Sequence, residues 1–291
     1  MAPATHAAAE PSRPLTGVVR TALWILVAIY AAARVLQLFP APMLLLVVLH
    51  ICPPLLFALL HGALAYRARG ILIFAGLSFV VGNCFENLSI LTGFPFGYYY
   101  FTSAMGPKLF LVPVTLRLAY LGVGYLAFTI GRLLVCGPDM PIQGRRVLYV
   151  PLVAALAMVA WDVAVEPVWS TVLHCWIWRD GGPYFGAPLS NFFGWYLTVY
   201  IFYQLFALYV SRHPGVTRLP GTYWHLAILF YALCAAGNVL VAFAPAAGSV
   251  TDATGVQWDV ATITRASAVA SIGVMGPFVL LAWRILHLSA D

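Results

Sequence analysis

The chain has 291 residues, 63% of them hydrophobic and only 8% charged, with a formal net charge of +6 and a mean hydropathy of +0.92. Soluble domains carry about 25% charged residues, so this composition excludes a protein dispersed in water. The basic excess is scattered over short connections, which is a topology signal in a membrane protein and not a nucleic-acid surface.

The N-terminal stretch 1–17, "MAPATHAAAEPSRP" and the residues after it, is low in complexity and reads as a disordered tail. The apolar run that follows starts late and is long, which fits a first membrane span better than a cleaved signal. Residues 18–291 read as a single all-α domain, a polytopic transmembrane helical bundle. Its apolar runs are long enough to cross a bilayer as helices, which satisfy their own backbone hydrogen bonds in lipid. The short alternating strands of an outer-membrane barrel are absent from the pattern. Hydropathy predicts eight spans, near 18–38, 42–66, 71–91, 109–135, 147–172, 189–211, 221–244 and 259–287.

The charges sort by loop parity. Arg13 and Arg20 lie in the N-terminal tail, Arg67 and Arg69 in the second loop, and Arg145 and Arg146 in the fourth, with Arg132 just before it. Arg212 and Arg218 lie in the sixth loop and Arg284 at the C-terminal end. The odd loops hold little: Lys108, Arg179 beside Asp180, and Asp252. Both termini are therefore expected in the cytoplasm. The third loop, "TGFPFGYYYFTSAMGPK", and the fifth, "HCWIWRDGGPYFGAPLSN", are rich in Gly, Pro and aromatics. They read as ordered lids on one side of the bundle, the bland alternative being an interfacial aromatic belt. The five cysteines (Cys52, Cys84, Cys136, Cys175, Cys234) are spread through apolar runs and read as small buried hydrophobes.

Three carboxylates fall inside predicted spans: Glu86, Asp162 and Glu166. An ionisable group at membrane depth costs roughly 2.5–3.5 kcal/mol even on lenient scales, so it is a functional candidate. Asp162 and Glu166 are four residues apart and share one helix face. Two acids this close in a low dielectric hold one proton between them more readily than two charges, and such a pair gives and takes protons. Helix parity places these acids with Asn191, Asn238 and Arg117 in the half of the membrane that the aromatic loops cover. The structural alternatives are a Glu86–Arg117 pair and asparagines (Asn83, Asn87, Asn238) acting as interhelical glue.

Other chemistries lack their residues. The histidines (His6, His50, His61, His174, His213, His225, His287) are isolated, unlike the boxes of membrane iron enzymes. No acid-rich magnesium motif, Walker loop or dinucleotide fingerprint occurs. The expectation is chemistry without metal or cofactor. Carboxylic acids, tyrosines and an aromatic chamber suit protonation of a carbon–carbon double bond. Ring faces stabilise the resulting tertiary carbocation, by about 2 kcal/mol or more each where water is excluded.

The motifs "EN-x4-TGFPFGYYYF", "VPV", "WDVAVEPVW" and "W-x-W-x4-PYFGAPLSNFFGW", in this order, resemble the membrane carotenoid-biosynthesis family that includes the carotenoid 1,2-hydratases, of the γ-carotene 1′-hydratase and bisanhydrobacterioruberin hydratase types. The resemblance spans about residues 80–210. It implies cofactor-free addition of water to the terminal double bond of a linear carotenoid, in the membrane, beside other enzymes of the pathway. Glu86, Asn87, Asp162, Pro167 and Asn191 fall on motif positions. In the family pattern an aspartate often precedes that proline, where this chain has Glu166. On this reading Asp162 donates the proton, Glu166 tunes it or holds water, and Glu86 with Asn87 binds water or acts as base. Tyr98, Tyr99, Trp176 and Trp195 form the cation-stabilising walls, and Asn191, Asn238 and Arg117 complete the binding set. The alternatives are an acid-initiated terpene cyclase, which shares the catalytic logic, and a proton-coupled transporter of a hydrophobic substrate.

Overall fold

The computed structural model describes residues 16–216, 218–244 and 247–289. The tail expected over 1–17 lies, up to residue 15, outside the described residues. Among the described residues seven helices are long and apolar enough to cross a membrane: α1 (Gly17–Leu36), α2 (Met43–Thr92), α3 (Val114–Cys136), α4 (Arg146–Val172), α5 (Leu189–Arg212), α6 (Gly221–Val241) and α7 (Val260–Leu288). The bundle is all-α and polytopic, as its composition predicts.

The second and third predicted spans are one element, with no loop between them. At 50 residues α2 would be about 75 Å long if straight, more than twice the hydrocarbon thickness. It folds back at Arg67, whose backbone (φ 60°, ψ 170°) lies in a region normally left to glycine. The reversal shows in the packing on α3. A Cβ on Gly122 would lie 2.8 Å from the Leu55 nitrogen, while Gly82 sits 3.6 Å from the Tyr120 ring by the same measure. Positions 55 and 82 would be about 40 Å apart along a straight helix. The two arms, 43–66 and 68–92, therefore lie side by side and the chain makes eight passes. The Ala65 carbonyl, released at the bend, accepts a hydrogen bond from the Val216 amide at 2.8 Å.

The central helix is α3: 83% of its apolar window is buried, against 22% for α7. Its glycines allow this. A Cβ on Gly131 would stand 2.7 Å from the Ala154 nitrogen, so α3 and α4 touch backbone to backbone. Outward faces present Leu72, Leu91, Val269 and Leu280, each at least 60% exposed, to the lipid.

The third and fifth loops join over one end of the bundle. Strand β1 (Tyr99–Phe101) pairs antiparallel with β4 (Trp176–Trp178), in the register Tyr99↔Trp178, Tyr100↔Ile177 and Phe101↔Trp176. The third loop also forms a small hairpin from β2 (Lys108–Leu109) and β3 (Val112–Pro113), so α3 begins five residues later than the predicted 109. A second hairpin, β5 (Ser249–Thr251) with β6 (Gln257–Asp259), sets Trp258 edge-on against Phe185 at 5.4 Å. All three ribbons lie at the same end.

Candidate active site

Glu86 is carried by the second arm of α2, two turns before that arm ends at Gly93 in the left-handed conformation. It is 3% exposed. The Tyr120 hydroxyl, from α3, donates to its Oε1 at 2.6 Å, and the Tyr99 hydroxyl, from β1, donates to Oε2. Alternation along a strand decides which tyrosine reaches it. Tyr99 and Phe101 face inward, at 3% and 4% exposure, while Tyr100 faces out at 44%.

Glu166 stands where α4 changes character. Pro167 has no amide hydrogen, so the Val163 carbonyl one turn earlier loses its helical partner. The Tyr184 hydroxyl, from the fifth loop, takes that place at 2.9 Å. Beyond Pro167 the helix widens into a π turn, Val168–Val172, and the Ser170 hydroxyl donates to the Glu166 carbonyl at 2.8 Å. The Glu166 side chain is buried, and two indoles meet it. Trp178 Nε1 donates to Oε1 at 2.6 Å and Trp176 Nε1 donates to the same oxygen at 2.9 Å. Two residues apart on β4, both rings project from one face of the strand.

Asp162 lies one turn before Glu166 and is equally buried. Its Oδ2 accepts from Asn191 Nδ2, at the start of α5, at 3.0 Å. Glu86, Glu166 and Asn191 line a common cavity with Phe96, Tyr99, Trp176, Trp178 and Trp195. The cavity measures about 20 Å³, room for one water molecule. Tyr120 stacks on Trp195 at 4.6 Å with 12° between the rings, closing one wall.

This chamber is the inner end of a series. Leu116 and Trp176 separate it from an apolar cavity of about 50 Å³, walled also by Trp161 and Trp169. Val165, Trp169, Arg34 and His50 in turn border a third cavity, of about 310 Å³. On the loop side, Trp176 and Trp178 also border a more polar cavity of about 230 Å³ beneath Asp252 and His174. The acids thus sit between an apolar approach through the bundle and a polar one through the lid.

Of the predicted residues, Glu86, Glu166, Asn191, Tyr99, Trp176 and Trp195 come together around the inner cavity, and Asp162 joins them through Asn191. The rest stand apart. Tyr98 is 43% exposed. Asn87 donates to the Asn83 carbonyl at 2.7 Å and accepts from the Leu111 amide at 3.2 Å, tying the third loop to α2. Arg117 donates to the Leu109 carbonyl and lies 5.3 Å over the Phe79 ring; it forms no ion pair with Glu86. Asn238 borders the large outer cavity, between Arg34 and Ser271. The sequence reading passed over Tyr120 and Trp178. Strand alternation from Trp176 would have supplied Trp178, whereas nothing in the local sequence marks Tyr120.

Neither a curated protein nor a solved structure matches this chain. Residues 42–254 match the family described as carotenoid biosynthesis protein, and the chain belongs to that family.

Proposed function

We propose that the protein is a cofactor-independent hydratase that adds water across the terminal double bond of a linear carotenoid. The carrying observation is a water-sized chamber walled by aromatic rings and lined by two buried carboxyl groups, Glu86 and Glu166, with a third, Asp162, hydrogen-bonded to its wall residue Asn191. The apolar cavity beyond Trp176 leads the hydrocarbon end to that chamber.

In the proposed reaction, Asp162 gives its proton to the less substituted carbon of the alkene. Its Oδ2 accepts one amide hydrogen bond, and no hydrogen-bond donor engages its Oδ1 among the described residues. Cleavage of the π bond leaves a tertiary cation, which the faces of Tyr99, Trp176 and Trp195 stabilise. The chamber's water attacks the cation and forms the carbon–oxygen bond. The proton that water then sheds passes to a carboxylate, Glu86 or Glu166, whose oxygens are held by O–H and N–H donors. Return of a proton to Asp162 completes the cycle, so alkene and water become a tertiary alcohol with nothing else consumed. The chamber's size favours water over a folded polyene as the partner of the cation.

The proposed orientation puts both termini in the cytoplasm and the lid ribbons on the opposite face, because the arginine-bearing connections lie at the end away from the ribbons. The test is expression in a lycopene-accumulating host in water labelled with heavy oxygen. The expected product is an acyclic carotenoid alcohol carrying the label, with Asp162→Asn lowering its formation at least about 100-fold. An unlabelled or cyclic product, or full turnover by D162N, would refute the assignment.

A further inference from the structure

The outer cavity holds a cation with no counter-ion among the described residues. Arg34, near the end of α1, is 4% exposed. Its Nη2 donates to the Cys234 carbonyl at 3.3 Å and to Asn238 Oδ1 at 2.5 Å. Among the described residues Nε has no hydrogen-bond partner, Nη1 engages none, and no carboxylate lies within ion-pair distance. Guanidinium keeps its charge even when buried. Such a group is normally paired or neutralised, because an uncompensated charge in a low dielectric is strongly unfavourable.

The protein nonetheless makes room for it. A Cβ on Gly237 would lie 1.5 Å from Arg34 Nε, so only glycine at that point of α6 admits the side chain. Gln37 fixes the notch: its Nε2 donates to the Arg34 and Gly237 carbonyls, both at 2.9 Å. Arg34 borders both the 310 Å³ cavity and the 50 Å³ apolar cavity that leads to the acids. The polar wall residues Gln37, His50 and Asn238 gather around Arg34, while Leu46, Val168 and Trp169 line the apolar wall. The volume far exceeds that of a small inorganic anion, and the polarity is concentrated at one place.

We propose that the outer cavity binds a phosphate-bearing lipid. The phosphate would sit against Nη1 of Arg34, the nitrogen turned away from Gly237, and the apolar tail would run along Trp169 toward the inner cavities. The shared chemistry is an anionic phosphate on a long hydrocarbon. Its source is either a prenyl phosphate or a phospholipid of the surrounding membrane. The inference goes beyond hydration and does not depend on it.

The test measures binding, not turnover, to purified protein in a neutral detergent. The probes are geranylgeranyl phosphate and geranylgeraniol, which share a tail and differ in the head. Wild-type protein should bind the phosphate at least tenfold more tightly than the alcohol. Arg34→Gln should bring the two within threefold. Gly237→Ala, which keeps the charge but blocks its seat, should do the same. Melting profiles confirm folding, and where one variant fails to fold the other decides. Competition by phosphatidylglycerol would identify a membrane phospholipid as the occupant; its failure to compete would identify a prenyl phosphate. Equal binding of the two probes by wild-type protein, or an unchanged preference in a folded variant, would overturn the proposal. Asp162→Asn should leave the preference intact, so loss of catalysis and loss of this site are separable.

Discussion

Trp178→Phe isolates one hydrogen bond to the acid cluster. Phenylalanine keeps a ring beside Tyr99, where the tryptophan now packs at 4.8 Å between centroids, and leaves the β1–β4 register intact. What disappears is the indole N–H that meets Glu166 Oε1 at 2.6 Å. A hydrogen bond to a charged group is worth about 1.5–3 kcal/mol. If Glu166 is ionised in the rate-limiting step, that loss slows turnover about 10- to 150-fold. Trp176→Phe should act in the same direction, because its N–H reaches the same oxygen at 2.9 Å. The double variant should fall further than the product of the singles, since Oε1 then has no indole donor left. The assay is the initial rate of labelled alcohol formation in membranes at matched protein level, with the melting temperature as a folding control. Folded single variants that both stay within threefold of wild type would refute the role given to Glu166.

Tyr184→Phe should destabilise the protein by about 1–3 kcal/mol by stranding the Val163 carbonyl; in a Pro167→Ala background, where an amide is restored, the same change should cost much less, as a thermal-unfolding double-mutant cycle will read. Gly131→Ala should cost about 1–3 kcal/mol in the same assay, because the added methyl meets the α4 backbone at Ala154 and not a side chain that can swing away. Asp252, in the β5–β6 connection, feels burial that raises its pKa, but hydrogen bonds from Trp258, Thr254 and backbone amides outweigh it and hold the carboxyl below its usual range. Its contribution is therefore complete above the unfolded value of about 3.9 and lost as pH falls through the lower folded value. Amide protection over residues 249–259 should follow that course, and Asp252→Asn should lack it at pH 7.

Much of this architecture is written in local chemistry. Hydropathy located every pass because an apolar run of span length has few alternatives, and the loop glycines, prolines and aromatics announced an ordered lid. The reversal at Arg67 falls where a loop was expected, but the sequence did not reveal that a single non-helical residue makes it, because that residue is an arginine and not a glycine. Glu86, Asp162 and Glu166 stood out because acids are rare in such a chain. Of their partners, Asn191 and Tyr99 were named, but Tyr99 together with Tyr98, which turns outward like Tyr100. Tyr120 reaches Glu86 across 34 residues of sequence, and that contact depends on how α2 packs on α3. Arg34 escaped notice for a different reason: an arginine near a helix end reads as an interfacial anchor, and its burial follows from a notch at Gly237, on a helix 200 positions away.

The three-residue ribbon of β1 and β4 carries the donors for two acids on two different helices: Tyr99 for Glu86, and Trp176 and Trp178 for Glu166. Strand faces alternate, so inserting or deleting a single residue within either strand would turn those donors outward together. The segments leading into the ribbon should therefore keep a fixed length across the family, while the β5–β6 tip, which touches none of the acids, is free to grow or shrink.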